Sequence, residues 1–109
     1  MITFPPPTDG AIIQWPSWEH PAYDFACRTG EPIYAVHSGV MTYGYNSRMG
    51  NQAIIHASDG NKSTYSHMEI VFPPGWYDRG DQIGTCGNTG SWSMGPHVHF
   101  ESTYTYRFR

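Results

Sequence analysis

Short apolar-rich runs, separated by glycine, proline, asparagine and aspartate, make up most of this chain. Runs of this length between turn-forming residues are typical of β-strands. No segment repeats its apolar residues with the 3.6-residue period of an amphipathic helix. The predicted strands are residues 11–13, 23–27, 32–36, 39–45, 51–57, 62–67, 82–86 and 97–106.

The connections between these runs favour antiparallel pairing. Residues 58–61, Ser-Asp-Gly-Asn, are typical of a tight hairpin. Residues 68–79 form a longer connection that contains Pro-Pro-Gly, and residues 87–96 form a polar loop with several glycines. Residues 1–10 are interpreted as a proline-rich lead-in. The sequence therefore predicts an all-β domain, a small antiparallel arrangement of hairpins.

Composition agrees with this prediction. The length of 109 residues allows one domain, 1–109. Hydrophobic residues make up 39% of the chain and charged residues 14%, a composition that is sufficient to form a core. The 12 glycines and 9 prolines suit many tight turns and would disrupt a helical bundle.

Charge and hydropathy exclude some classes of partner. The net charge is −3 and no lysine or arginine cluster occurs, so nucleic acid is not an expected partner. No apolar stretch approaches the roughly 20 residues of a membrane-spanning helix. Residues 1–7 lack the basic start and apolar run of a signal peptide, so we expect none.

The two cysteines, Cys27 and Cys86, do not form a C-x-x-C pair, which excludes a four-thiolate zinc site. Two alternatives stay open: one disulfide that closes a long loop, or two buried thiols that act as small apolar residues.

Histidines in the last predicted strand carry the main chemical signal. His97 and His99 are two residues apart, so their side chains share one face of a strand. Histidine is a common zinc ligand, and a catalytic zinc usually has three protein ligands and one open position. His20 and Asp24 are four residues apart and also share a face. The candidate zinc ligands are therefore His20, Asp24 and one of His97 and His99.

Proton transfer needs a further group, because the H-E-x-x-H motif of many zinc peptidases is absent. His67 and whichever of the last two histidines is not a ligand are suited to this task. We interpret His37 and His56 as structural. Glu101 shares a face with His99; of the two roles open to it, support of a ligand or a charge at the rim, we favour a structural one.

Taken in order, four motifs resemble the lysostaphin-type zinc metallopeptidases, which are peptidoglycan endopeptidases. The motifs are H-x-x-x-D at 20–24, Y-x-H at 65–67, G-x-x-G-x-T-G at 84–90 and G-P-H-x-H-F-E at 95–101. The resemblance covers about residues 20–102.

The resemblance implies a role for each candidate residue. His20, Asp24 and His99 would bind Zn²⁺, while His67 and His97 would be the catalytic pair, general base and oxyanion stabiliser. The implied fold is a small two-sheet β domain with the zinc site in a narrow groove between two sheets and flanking loops. The implied reaction is hydrolysis of peptide bonds in peptidoglycan stem peptides or cross-bridges.

The implied setting is a monomer that acts at the bacterial cell wall, as a domain of a phage lysin or tail protein or after another route of release. The alternative is a catalytically silent domain of the same fold that binds peptidoglycan, activates another enzyme or has a structural role in a virion.

Overall fold

The computed structural model describes residues 2–17, 22–104 and 106–108, and within these ranges it contains strands and turns but no helix. No segment of these ranges is therefore a helix that could cross a membrane. The strands are β1 (Ile2–Phe4), β2 (Ile12–Gln14), β3 (Tyr23–Ala26), β4 (Pro32–Tyr34), β5 (Gly39–Asn46), β6 (Gly50–His56), β7 (Lys62–Met68), β8 (Ile70–Val71), β9 (Gly75–Tyr77), β10 (Gln82–Thr85), β11 (His97–Ser102) and β12 (Tyr106–Phe108).

Seven strands form one antiparallel sheet in the order β2-β3-β11-β7-β6-β5-β9. A smaller antiparallel sheet has the order β4-β10-β8. The predicted all-β fold with two antiparallel sheets is therefore confirmed. A parallel pair between β1 and β12 was not predicted.

One face of the seven-stranded sheet is packed into the core. On β11, Val98 and Phe100 are fully buried, and on β7 Tyr65 is fully buried with its phenol oxygen 3.0 Å from the backbone nitrogen of Val36, whose N–H it accepts. Because side chains alternate along a strand, the residues between Val98 and Phe100 face the opposite side of the sheet. The burial of Val98 and Phe100 therefore leaves His97 and His99 on the open side of β11.

A disulfide joins Cys27 to Cys86, with 6.2 Å between their Cα atoms. Cys27 follows β3 of the large sheet, and Cys86 follows β10 of the small one. The alternative of two reduced thiols is therefore wrong, and the bond connects the two sheets covalently.

Three sequence-based boundaries were wrong or incomplete. The last strand ends at Ser102 instead of residue 106, because the Thr103 backbone turns to donate to the Lys62 carbonyl at 3.0 Å, and the chain after it pairs with β1. The connection 68–79 contains β8 and β9, and β9 extends the large sheet. The lead-in contributes β1 and the buried side chain of Phe4.

His37 lies in the fold interior with both ring nitrogens bonded. Nδ1–H donates to the Ser38 carbonyl at 2.9 Å, and Nε2 lies 2.7 Å from the Ser63 hydroxyl. Burial lowers the pKa of His37, although the Ser38 carbonyl and the charge of Asp59 partly oppose this shift. The interpretation of His37 as a structural residue agrees with this placement.

We expect His37 to make folding stability depend on pH. Its pKa is lower in the folded than in the unfolded chain, so the unfolded chain binds more protons as the pH falls. The free energy of unfolding should therefore be highest above the ordinary histidine pKa of 6.5 and decrease below it. Urea unfolding at pH 8 and pH 5 should show a larger acid loss for the wild type than for His37→Gln. The exposed His56 provides the matched control, His56→Gln, and an equal acid loss in all three proteins would contradict this role for His37.

Candidate active site

Strand pairing brings Asp24 and the last two histidines together. In the antiparallel pair of β3 and β11, Asp24 lies directly opposite His99. Asp24 Oδ1 is 3.2 Å from His99 Nδ1 and 3.7 Å from His97 Nε2. These three side chains are each about one-eighth exposed, so one largely buried carboxylate lies beside two imidazoles.

His67 enters the same cluster from β7. Its ring centre is 4.8 Å from that of His97 and 6.0 Å from that of His99. Its backbone has φ of 65°, a left-handed conformation that is unfavourable for a residue with a side chain. Two hydrogen bonds hold it there: the His67 backbone N–H donates to the Met49 carbonyl at 2.8 Å, and ring Nδ1–H donates to the Thr89 carbonyl at 2.7 Å.

The Thr89 bond defines the tautomer of His67. A carbonyl oxygen only accepts, so Nδ1 carries the proton and Nε2 carries the lone pair of the neutral ring. Burial lowers the pKa of His67; the Thr89 carbonyl partly opposes this, and the nearby His97 and His99 lower it again. The result is an imidazole that is neutral at neutral pH, as a general base must be.

His97 has the same kind of partner. Its Nδ1–H donates to the Gly95 carbonyl at 2.8 Å, which leaves Nε2 as the nitrogen that faces Asp24. Gly95 belongs to the loop 87–96 that was predicted from the sequence. The loop therefore orients one histidine through Gly95 and the other through Thr89.

His99 lies between two carboxylates. Its Nε2 is 2.8 Å from Glu101 Oε1, and its Nδ1 is 3.2 Å from Asp24 Oδ1. Burial alone would lower the pKa of His99, but the hydrogen bonds to Asp24 and Glu101 outweigh it and raise the pKa to about 9. A ring with this pKa is protonated at neutral pH and donates a hydrogen bond from each nitrogen.

A groove of about 960 Å³ opens over these side chains. The resemblance implied a groove between two sheets and flanking loops. The groove does have loop residues in its lining, such as Arg48 and Trp92, but it lies over the outer face of the seven-stranded sheet, because core side chains fill the space on its other face. Besides the four residues above, its lining is Gln14, Asn46, Ser47, Arg48, Met49, Gln52, Ile54, Lys62, Thr64, Trp92 and Glu101.

Two donor atoms in the lining of this groove suit zinc. An imidazole nitrogen and a carboxylate oxygen, His99 Nδ1 and Asp24 Oδ1, are a common zinc donor pair. The third predicted ligand, His20, lies outside the described residues. Within the described ranges no set of three His, Cys, Asp or Glu side chains is arranged around a metal position.

Sequence reasoning missed the role of Thr89. Its hydroxyl donates to the Met68 carbonyl at 2.7 Å and accepts the Asn51 backbone N–H at 3.1 Å, while its own carbonyl holds His67. The G-x-T-G part of the loop motif contained the signal, but spacing alone does not show which backbone groups a threonine will bond. His56 lies outside the groove lining, with its Nε2 3.2 Å from the Thr42 hydroxyl.

Comparison with known proteins shows which family this chain belongs to. The chain is 34% identical over 85 residues to the DD-carboxypeptidase/endopeptidase Mpg of Neisseria meningitidis serogroup B, a match that covers 76% of the chain. The match covers 20% of Mpg, so the chain spans about one-fifth of the length of this curated relative.

Two solved structures have a similar fold. The catalytic domain of lysostaphin from Staphylococcus simulans superposes with a TM-score of 0.67 and 28% identity, over 91% of the chain and 75% of that domain. A zinc-containing peptidase from Vibrio cholerae superposes with a TM-score of 0.69 and 29% identity, over 91% of the chain and 33% of that protein. The model of Peptidase family M23 matches residues 19–107, most of the chain. The chain therefore belongs to peptidase family M23, as the lysostaphin-type motifs indicated.

Proposed function

We propose that this chain is a single peptidase domain that hydrolyses peptide bonds in bacterial peptidoglycan with the help of Zn²⁺. The observation that carries the proposal is the convergence of Asp24, His67, His97 and His99 in the lining of one open groove. A relative from Vibrio cholerae that is 35% identical over 85 residues is named the peptidoglycan DD-endopeptidase ShyA, and Mpg is named a DD-carboxypeptidase/endopeptidase. These names support a peptide bond of peptidoglycan as the substrate.

In this proposal Asp24, His99 and His20 hold the zinc ion. Bound zinc supplies an electrophile that polarises a carbonyl and makes water more acidic. The zinc-containing peptidase from Vibrio cholerae, which has a similar fold, supports this choice of metal. His99 would bind through Nδ1, because that nitrogen faces Asp24 while Nε2 faces Glu101.

His67 and His97 manage the proton. Neutral His67, with its lone pair on Nε2, accepts a proton from the attacking water. His97, whose Nε2 also faces the cluster, stabilises the developing oxyanion in its imidazolium form. His67 then gives the proton it took from water to the leaving nitrogen, the C–N bond breaks, and the amine is released.

Purified peptidoglycan provides the test of this function. The protein should release new amino termini, a chelator should abolish the release, and added zinc should restore it. His67→Ala should reduce hydrolysis about 10²- to 10⁴-fold, the usual contribution of a general base, without loss of bound zinc. His56→Ala, on a side chain outside the groove, is the matched control. Full activity of His67→Ala with zinc bound would contradict the mechanism, and zinc binding without any release would favour the catalytically silent alternative.

Glu101 should strengthen zinc binding through His99. When Glu101 accepts the Nε2 proton at 2.8 Å, the lone pair of the neutral ring is fixed on Nδ1, the nitrogen beside Asp24. Partners of this kind typically change metal affinity 10- to 100-fold. We therefore expect Glu101→Ala to weaken zinc binding by about this factor and Glu101→Gln to weaken it less.

The measurement is a zinc titration against a chelating dye at one fixed pH. Glu69, an exposed residue outside the groove lining, provides the control Glu69→Gln, which should bind zinc like the wild type. Equal zinc affinity of Glu101→Ala and the wild type would show that Glu101 does not act on the ligand.

A further inference from the structure

The groove wall carries a guanidinium that the proposed mechanism does not use. Arg48 lies at the tip of the hairpin between β5 and β6, and its guanidinium carbon is 5.0 Å from the centre of the Trp92 ring. Both residues are exposed and both line the groove. The ring of Trp92 thus supports one face of the cation and restricts the orientations that it adopts.

Backbone hydrogen bonds fix the two segments that carry this pair. The Trp92 N–H donates to the Arg48 carbonyl at 3.0 Å, and the Ser91 N–H donates to the Ser47 carbonyl at 2.8 Å. The contact needs a glycine at position 90, where a Cβ atom would lie 2.4 Å from the Arg48 carbonyl oxygen. Because this wall is already ordered, the Arg48 side chain loses little further conformational freedom when a ligand binds.

The acidic residues of the groove lining are Asp24 and Glu101. Asp24 and Glu101 are both hydrogen-bonded to His99. Among the described residues no carboxylate forms an ion pair with Arg48, so its forked N–H donors are open to a ligand in the groove. A guanidinium matches the geometry of a carboxylate and binds it through two parallel hydrogen bonds.

We propose that Arg48, stacked on Trp92, binds a free carboxylate of the substrate peptide and selects acidic peptides over their amidated forms. The inference rests on the proposed function, since it assigns a part of the substrate to a part of the same groove. It identifies Arg48 as a specificity-determining residue in the lining of that groove.

The test uses cross-linked muropeptide dimers in matched pairs, each pair with one carboxylate in one member and a carboxamide in the other. In one of these pairs, the wild type should cleave the acid with kcat/KM about 10- to 100-fold above that of its amide, the usual effect of a hydrogen bond to a charged group. That pair identifies the carboxylate that Arg48 binds. Arg48→Gln should reduce kcat/KM far more for that acid than for its amide, so that the ratio of the two values falls to about one. Arg48→Lys should restore only part of the preference, because lysine keeps the charge but lacks the fork.

Arg28→Gln is the matched control, because the Arg28 side chain is 92% exposed and lies outside the groove lining. Equal cleavage of acid and amide by the wild type, or an equal loss on both with Arg48→Gln, would overturn the inference. Calorimetric binding of the same pairs separates this inference from the proposed function. If no dimer is cleaved but Arg48→Gln still abolishes tighter binding of the acid, the subsite stands and the peptidase function fails.

Discussion

The position of β11 between β3 and β7 is the constraint on which the site depends. Val98 and Phe100 are fixed inward because their burial stabilises the core, and this places His97, His99 and Glu101 on the outer face. A slip of one residue in the register would place two imidazoles and a carboxylate in the apolar core and expose Val98 and Phe100. The same packing that stabilises the sheet therefore sets the direction of the reactive side chains.

The second constraint lies in the loop 87–96. His67 adopts a left-handed backbone conformation, which costs about 1–3 kcal/mol at such sites and persists only where surrounding contacts compensate. Met49 and Thr89 supply these contacts through their carbonyl groups. Since Thr89 also bonds to Met68 and Asn51, the loop that orients His67 is fixed to both β7 and β6.

The sequence allowed part of this arrangement to be predicted, and the reason differs from residue to residue. The shared face of His97 and His99 follows from the two-residue period of a strand, which needs no knowledge of neighbours. The contact of Glu101 with His99 also follows that period, but whether the carboxylate turns toward the imidazole or toward solvent depends on the packed side chains. The parallel pairing of β1 with β12 joins segments about 100 residues apart, and a local pattern contains no information on that partner. The disulfide between Cys27 and Cys86 was one of two alternatives for the same reason.

The three histidines of the cluster differ in chemistry because they differ in hydrogen-bond partner. His67 and His97 each donate Nδ1–H to a backbone carbonyl, a neutral acceptor, so that in each ring only Nε2 is left for a further partner. His99 instead contacts a carboxylate at each nitrogen, which favours a positive charge on the ring or beside it. A cation bound beside Asp24 would replace the proton on His99 Nδ1, while Glu101 would still accept the Nε2–H. The difference between a backbone carbonyl and a carboxylate as the partner is thus sufficient to favour the charged form of His99 and the neutral form of His67 within one cluster of identical side chains.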